Sequence, residues 1–324
     1  MRDDPSEGDP ELRIQLAAAP VSVPAARRFV TDGLRSWQLG RLVDDATLCV
    51  SELASNAALH STGRFMLVAM RRIGDAVRIS VEDDGAVPAE AVLPRPSFPD
   101  PEEPADVLLA DEATTGRGLA IVSILASDWG VEETERGKRV WADIDDGTDA
   151  HGVRPPRTAP EPSAAPAHDG LPPGWALVRL LGCPVRLSLR QDEHLDELVR
   201  ELQLMAADLA DPRSGALVGE LQGLLSGPAS ARHTGRLLAQ QAAETGEEHI
   251  DVEMAMPREF AAEVRRLDVA VQAADVLCGD LRLLTLASSP DLRALRAWMT
   301  DQITSQLERG ADPVSWNGWV ADRA

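Results

Sequence analysis

Residues 147–173, "GTDAHGVRPPRTAPEPSAAPAHDGLPP", limit the fold more than any other stretch. Proline, alanine and polar residues fill them, and no periodic apolar pattern runs through. Such a segment adds nothing to a core and reads as a linker. The chain has 324 residues, more than one ordinary hydrophobic core holds together. The linker therefore predicts two domains, residues 10–146 and 174–324. Residues 1–9, "MRDDPSEGD", are acidic and nearly free of apolar residues, which predicts a disordered N-terminus.

The first domain alternates in period. "LRIQLAAAP" (12–20) reads as a strand. "PAARRFVTDGLRSWQLG" (24–40) places Ala25, Phe29, Val30, Leu34 and Trp37 at helical spacing, with Gly40 expected to end the helix. "RLVDDATLCVSELASNAALHS" (41–61) is a second helix, with Leu42, Ala46, Cys49, Val50, Leu53 and Ala57 inward. "RFMLVAMRR" and "AVRISVEDDG" flank the turn "IGD" as a hairpin. Residues 88–115 are rich in proline and acid and read as a long mobile loop. "GRGLAIVSILASDWG" is a helix opened by glycine, and "WGVEETERGKRVWADID" gives two strands around "ERGK". The order β-α-α-β-β-loop-α-β-β predicts an α/β fold: a two-layer sandwich with a mixed sheet and its helices on one face. The second domain opens with the apolar segment "WALVRLLGCPVRLSL", read as a strand. Helical patterns follow in "DEHLDELVRELQLMAADL", "GALVGELQGLLS", "REFAAEVRRLDVAVQAADVLCG" and "DLRALRAWMTDQITSQLERG". It is expected to be mainly α-helical, with no convergent set of His, Cys or carboxylate residues.

Net charge is −21 and both halves are acidic, so neither offers the broad basic face that nucleic acid or an anionic membrane needs. No 18-residue apolar run occurs, and no membrane partner is expected. The three cysteines, Cys49, Cys183 and Cys278, are far apart. That usage predicts a reduced, cytoplasmic protein without a zinc site. Lys138, the only lysine, reads as a turn residue.

Three elements hold chemistry. In "CVSELASNAALH", Glu52, Asn56 and His60 recur every four residues and share one helix face among small neighbours. "VEDDG" ends a strand with Asp83 and Gly85 in a D-x-G spacing. "TTGRGL" places Gly116 and Gly118 around Arg117 at a helix entrance. Each pattern alone is common; their order is specific. In that order the first domain resembles the GHKL (Bergerat) ATP-binding fold of histidine kinases, gyrase and Hsp90. Within it, the domain is most similar to the anti-sigma-factor serine/threonine kinases. "ELASNAALH" resembles their N-box, "VEDDG" and "TGRGL" their two glycine boxes, and "GKRVWADI" their closing strand.

The resemblance implies ATP and Mg²⁺ as ligands. Asn56 is the expected Mg²⁺ ligand, since a carboxamide presents a hard oxygen donor. Glu52, one turn earlier, is the expected catalytic base that positions or deprotonates an attacking hydroxyl. Asp83 is expected to accept a hydrogen bond from the adenine amine, with Gly85 letting the backbone approach the ring. Gly116, Gly118 and Leu119 are expected to present backbone at the phosphates, where the helix dipole favours anions, and Arg117 adds a positive charge. Two positions depart from the family pattern. Val87 stands where a second glycine is frequent, and Arg139 where a hydroxyl residue is frequent. The implied activity is transfer of the γ-phosphoryl of ATP to a Ser or Thr of a STAS-domain antagonist. The implied partners are a sigma factor, that antagonist and a second copy of the chain. The alternative is a regulatory module that binds ATP and a partner, and switches by ordering its lid without phosphoryl transfer.

Overall fold

The structure, a computed structural model, describes residues 10–61, 63–84, 115–146, 170–208, 219–221, 223–225, 227–279 and 287–323. The expected disordered N-terminus, most of the linker, Gly85, Val87 and all of the expected lid but Thr115 lie outside the described residues. The chain divides into two compact units, residues 1–173 and 174–324.

In the first unit β1 (Glu11–Ala17) leads into α1 (Val23–Ser36) and α2 (Val43–His60). The hairpin β2 (Phe65–Ile73) and β3 (Ala76–Asp83) follows, then α3 (Thr115–Leu125) and the hairpin β4 (Asp128–Glu133) and β5 (Lys138–Ile144). The sheet order is β1-β2-β3-β5-β4. All four pairings are antiparallel, where the sequence pattern predicts a mixed sheet. The reason is topological. Two helices lie between β1 and β2, so three turns, an odd number of reversals, join the four elements and β2 returns antiparallel to β1. β3 and β4 do run the same way, but β5 folds back between them and removes the parallel contact.

Period-2 alternation sorts the side chains between the two faces of this sheet. A Cβ on Gly33 of α1 would meet Met70 Sδ at 2.4 Å and Leu12 at 2.9 Å, so Leu12 and Met70 face the helices. By register that face continues through Ile79, Ala142 and Trp129, all buried. Asp83 and Lys138 sit opposite one another at its end. The other face holds Arg78, Trp141 and Asp143. There the Arg78 guanidinium lies 3.9 Å from the Trp141 ring and pairs with Asp143 through Nε at 2.6 Å. The hydrogen bonds and charge of Asp143 push Arg78 further up. The first helix stops earlier than Gly40: Gln38 takes a left-handed φ of 62° and Gly40 begins a 3-10 turn.

The second unit joins β6 (Trp175–Pro184) to β7 (His249–Pro257) as an antiparallel pair. β7 escapes the sequence reading above, although Val252, Met254 and Met256 alternate with Asp251 and Glu253. Around the pair lie α4 (Val185–Asp208), α5 (Ala229–Thr245), α6 (Phe260–Gly279), α7 (Pro290–Arg309) and α8 (Trp316–Ala321). Ser289 and Ser315 cap α7 and α8 by accepting from Leu292 N and Gly318 N. Trp298 is fully buried, and its ring meets Trp316 edge-on at 5.6 Å. The side-chain amide of Gln306 spans from α7 to β6, accepting from Arg179 N and donating to Arg179 O at 2.9 and 2.8 Å.

Candidate functional site

α2 positions the polar row of the first unit. Cys49, Val50, Leu53 and Ala57 are buried, which leaves Glu52 and Asn56 half-buried along the adjacent stripe. His60, at the last helical turn, is exposed. Burial, and then the charge of Glu52, push the Cys49 thiol up to about 12, so Cys49 stays a protonated packing residue.

The first turn of α3 meets this row. A Cβ built on Gly118 would stand 2.8 Å from Glu52 Oε2 and 3.5 Å from both amide atoms of Asn56. Only a glycine allows this approach with Glu52 where it is. The helix N-terminus thus comes up to the carboxylate and the carboxamide, with its first N–H groups free of intrahelical partners. Gly116 and Arg117 belong to the same turn, while the side chain of Arg117 lies outside the described residues. The side chain of Leu119 is 3% exposed and belongs to the core, so any part of Leu119 at the phosphates is its backbone.

At the far end of β3, Asp83 lies beside Lys138, Oδ2 to Nζ 3.4 Å, with side chains 3% and 4% exposed. Lys138 is thus a buried strand residue and not a turn residue. Its Nζ is buried without a hydrogen-bond partner among the described residues. The sequence signal was a single lysine directly after the turn glycine; its register with Asp83 comes from the strand order alone. Asp84 does what a turn carboxylate does, accepting from Phe65 N at 3.3 Å where β2 begins. Arg139 is one residue on and so faces the opposite side of the sheet. Glu82 takes its Nε at 3.1 Å and Nη2 at 2.5 Å, and Glu132 takes Nη1 at 3.0 Å. Burial opposes its charge, but these carboxylates push Arg139 up. The departure at position 139 therefore does not intrude on Asp83.

A convergent polar set, not expected from the sequence, occurs in the second unit. Ser288 Oγ bonds His194 Nε2 at 2.9 Å and accepts from Arg296 Nη1 at 3.1 Å. Asp275 takes Ser288 N at 2.8 Å and Arg296 Nη2 at 3.0 Å. It has serine, histidine and aspartate, yet the geometry is not that of a nucleophilic triad. The carboxylate approaches Nε2, at 3.7 Å, the same nitrogen that serves the hydroxyl. The set ties α4, α6 and α7 together. Among the described residues no group of three or more His, Cys, Asp or Glu side chains is arranged to hold a metal ion. An Mg²⁺ held by one carboxamide and the ligand's own phosphates needs none. Among the same residues no helix is long and apolar enough to cross a membrane.

Residues 16–144 match the family model of the histidine kinase-like ATPase domain. Over these residues the first unit is similar to domains of that kind, a similarity that implies ATP as its ligand. No curated protein matches the chain.

Proposed function

We propose that the chain is a regulatory protein kinase that transfers the γ-phosphoryl of ATP to a Ser or Thr of a STAS-domain antagonist, as the anti-sigma-factor kinases do. The observation behind it is the approach of Gly118 to Glu52 and Asn56, three residues from two motifs 62 or more positions apart. Asn56 holds Mg²⁺, which offsets the negative charge of the triphosphate. The turn opened by Gly116 and Gly118 receives the phosphates on backbone N–H groups. Glu52, half-buried beside both, accepts the proton of the attacking hydroxyl or orients it. Asp83 reads the adenine amine, and Lys138 fixes the orientation of that carboxylate. A sigma factor and a second copy of the chain complete the partners.

Glu52→Gln tests the reading. With MgATP and a STAS-domain substrate, the variant is expected to bind nucleotide like the parent while transfer falls by about 10²-fold or more. Equal transfer by both proteins would remove Glu52 from the mechanism. Nucleotide binding by both with transfer by neither, across all antagonists tried, would make the chain an ATP-dependent binding module instead.

A further inference from the structure

The core of the second unit is split. One apolar cluster gathers Val252, Met254 and Met256 of β7 with Val264, Trp298 and Leu307 of the helices. A second gathers Leu195, Leu198, Ala270 and Val271 around α4 and α6. Between them lies a cavity of about 160 Å³, lined by residues of both clusters. Interiors are packed like organic crystals, and a void of this size forfeits dispersion contacts.

One feature marks it as more than a packing defect. Gln191 lines the cavity from α4 and is 6% exposed, and its Oε1 has no hydrogen-bond partner among the described residues. A buried carbonyl left so costs on the scale of a lost hydrogen bond. Gly235 of α5 lines the same cavity, in a helix interior where glycine is disfavoured relative to alanine. A Cβ there would meet nothing within 4 Å. The position therefore has room for a larger side chain.

The wall chemistry limits the occupant. Its charged residues are paired with one another. Asp192 binds Arg232 at 3.0 Å and Arg236 at 3.3 Å, and Asp268 binds Arg296 at 3.2 Å. A charged ligand would find no uncompensated partner, so the ligand is neutral. Met254, Met256 and Met299 give an adaptable apolar lining. A dry cavity of roughly 150 Å³ accommodates a benzene-sized molecule. The open acceptor at Gln191 asks for one donor.

We propose that the second unit is a receptor site for a small neutral molecule with an apolar body of about one ring and a single hydroxyl or N–H that donates to Gln191 Oε1. This stands apart from the nucleotide reading and does not depend on it. Phenol and toluene, which have the same number of heavy atoms, are the probes. Each is titrated calorimetrically into the full chain without nucleotide. Phenol is expected to bind with a dissociation constant of about 0.1 mM, within the per-atom ceiling for small ligands. Toluene should bind about tenfold more weakly, the size of one hydrogen bond. Gln191→Leu should lower phenol affinity about tenfold, to that of toluene, and leave toluene unchanged or tighter. Gly235→Leu, which fills the space, should weaken both at least tenfold, with helical circular dichroism reporting that the fold is kept. If Gly235→Leu does not fold, the two probes on the parent and on Gln191→Leu still decide. No heat from either probe, equal affinity of phenol and toluene for the parent, or unchanged phenol binding by Gln191→Leu would each overturn the proposal.

Discussion

Gly118 and Glu52 meet at a point where one has no side chain and the other has its charge: a Cβ on Gly118 would stand 2.8 Å from Glu52 Oε2. The approach joins a helix face to a helix entrance, and it makes glycine at 118 a requirement of the site and not of the fold. Gly118→Ala is therefore expected to separate the two. The obstructed atom is the tip of a flexible side chain, so α3 remains in place and gains up to about 1 kcal/mol of helix propensity. Glu52 moves aside, and phosphoryl transfer falls by about tenfold or more. Thermal unfolding and transfer rate, measured on one preparation, check this; a rate equal to that of the parent would mean that Glu52 need not sit where it does.

If Asn56 holds Mg²⁺ as proposed, Asn56→Ala is expected to abolish Mg²⁺-dependent ATP binding with the fold intact, since the carboxamide oxygen is lost while alanine suits the helix. Calorimetric titration with MgATP is the measurement. An affinity within twofold of the parent's would move the metal elsewhere.

Lys138→Met removes one member of a buried ion pair and leaves Asp83 facing an apolar side chain. Breaking such a pair from one side costs on the order of 3 kcal/mol. Urea unfolding should record that loss, and the double variant with Asp83→Asn should recover most of it. A loss below about 0.5 kcal/mol would mean that the pair is solvated like a surface bridge.

The second unit should be acid-sensitive through Asp275. Burial raises its pKa, but the nearby His194 ring, the Ser288 N–H and hydroxyl, and the charge of Arg296 bring it down from 3.8 to about 2. A depressed carboxylate stabilises the fold above its unfolded pKa, and this stability is lost as pH falls through the folded one. Between about pH 4 and pH 2 the parent should therefore lose on the order of 1–2 kcal/mol, discounted for solvent screening, that Asp275→Asn does not lose. Urea unfolding of both proteins at pH 5, 4, 3 and 2 gives the comparison, and parallel curves would dismiss the network as a source of stability.

Glu52 and Asn56 were legible as a pair because helical period is local: four residues return a side chain to one face whatever the rest of the chain does. The strands of the first unit were legible for the same reason, since Leu12, Ile14 and Leu16 alternate with polar neighbours. β7 carries that signal too, in Val252, Met254 and Met256, and is as long as β2, but it stands alone between long helical patterns with no neighbouring strand beside it in sequence. Tertiary structure decided what distance in sequence hides. Lys138 faces Asp83 because β5 inserts between β3 and β4, an order that no local period encodes. The side chain of Leu119 goes into the core because α3 must bury its apolar face somewhere. Gly118 reaches Glu52, and Gln191 and Gly235 come to line one cavity, only once separate helices pack. Local sequence sets which face of each element is apolar. Which faces meet follows from the total area that they bury together, a sum over the whole chain.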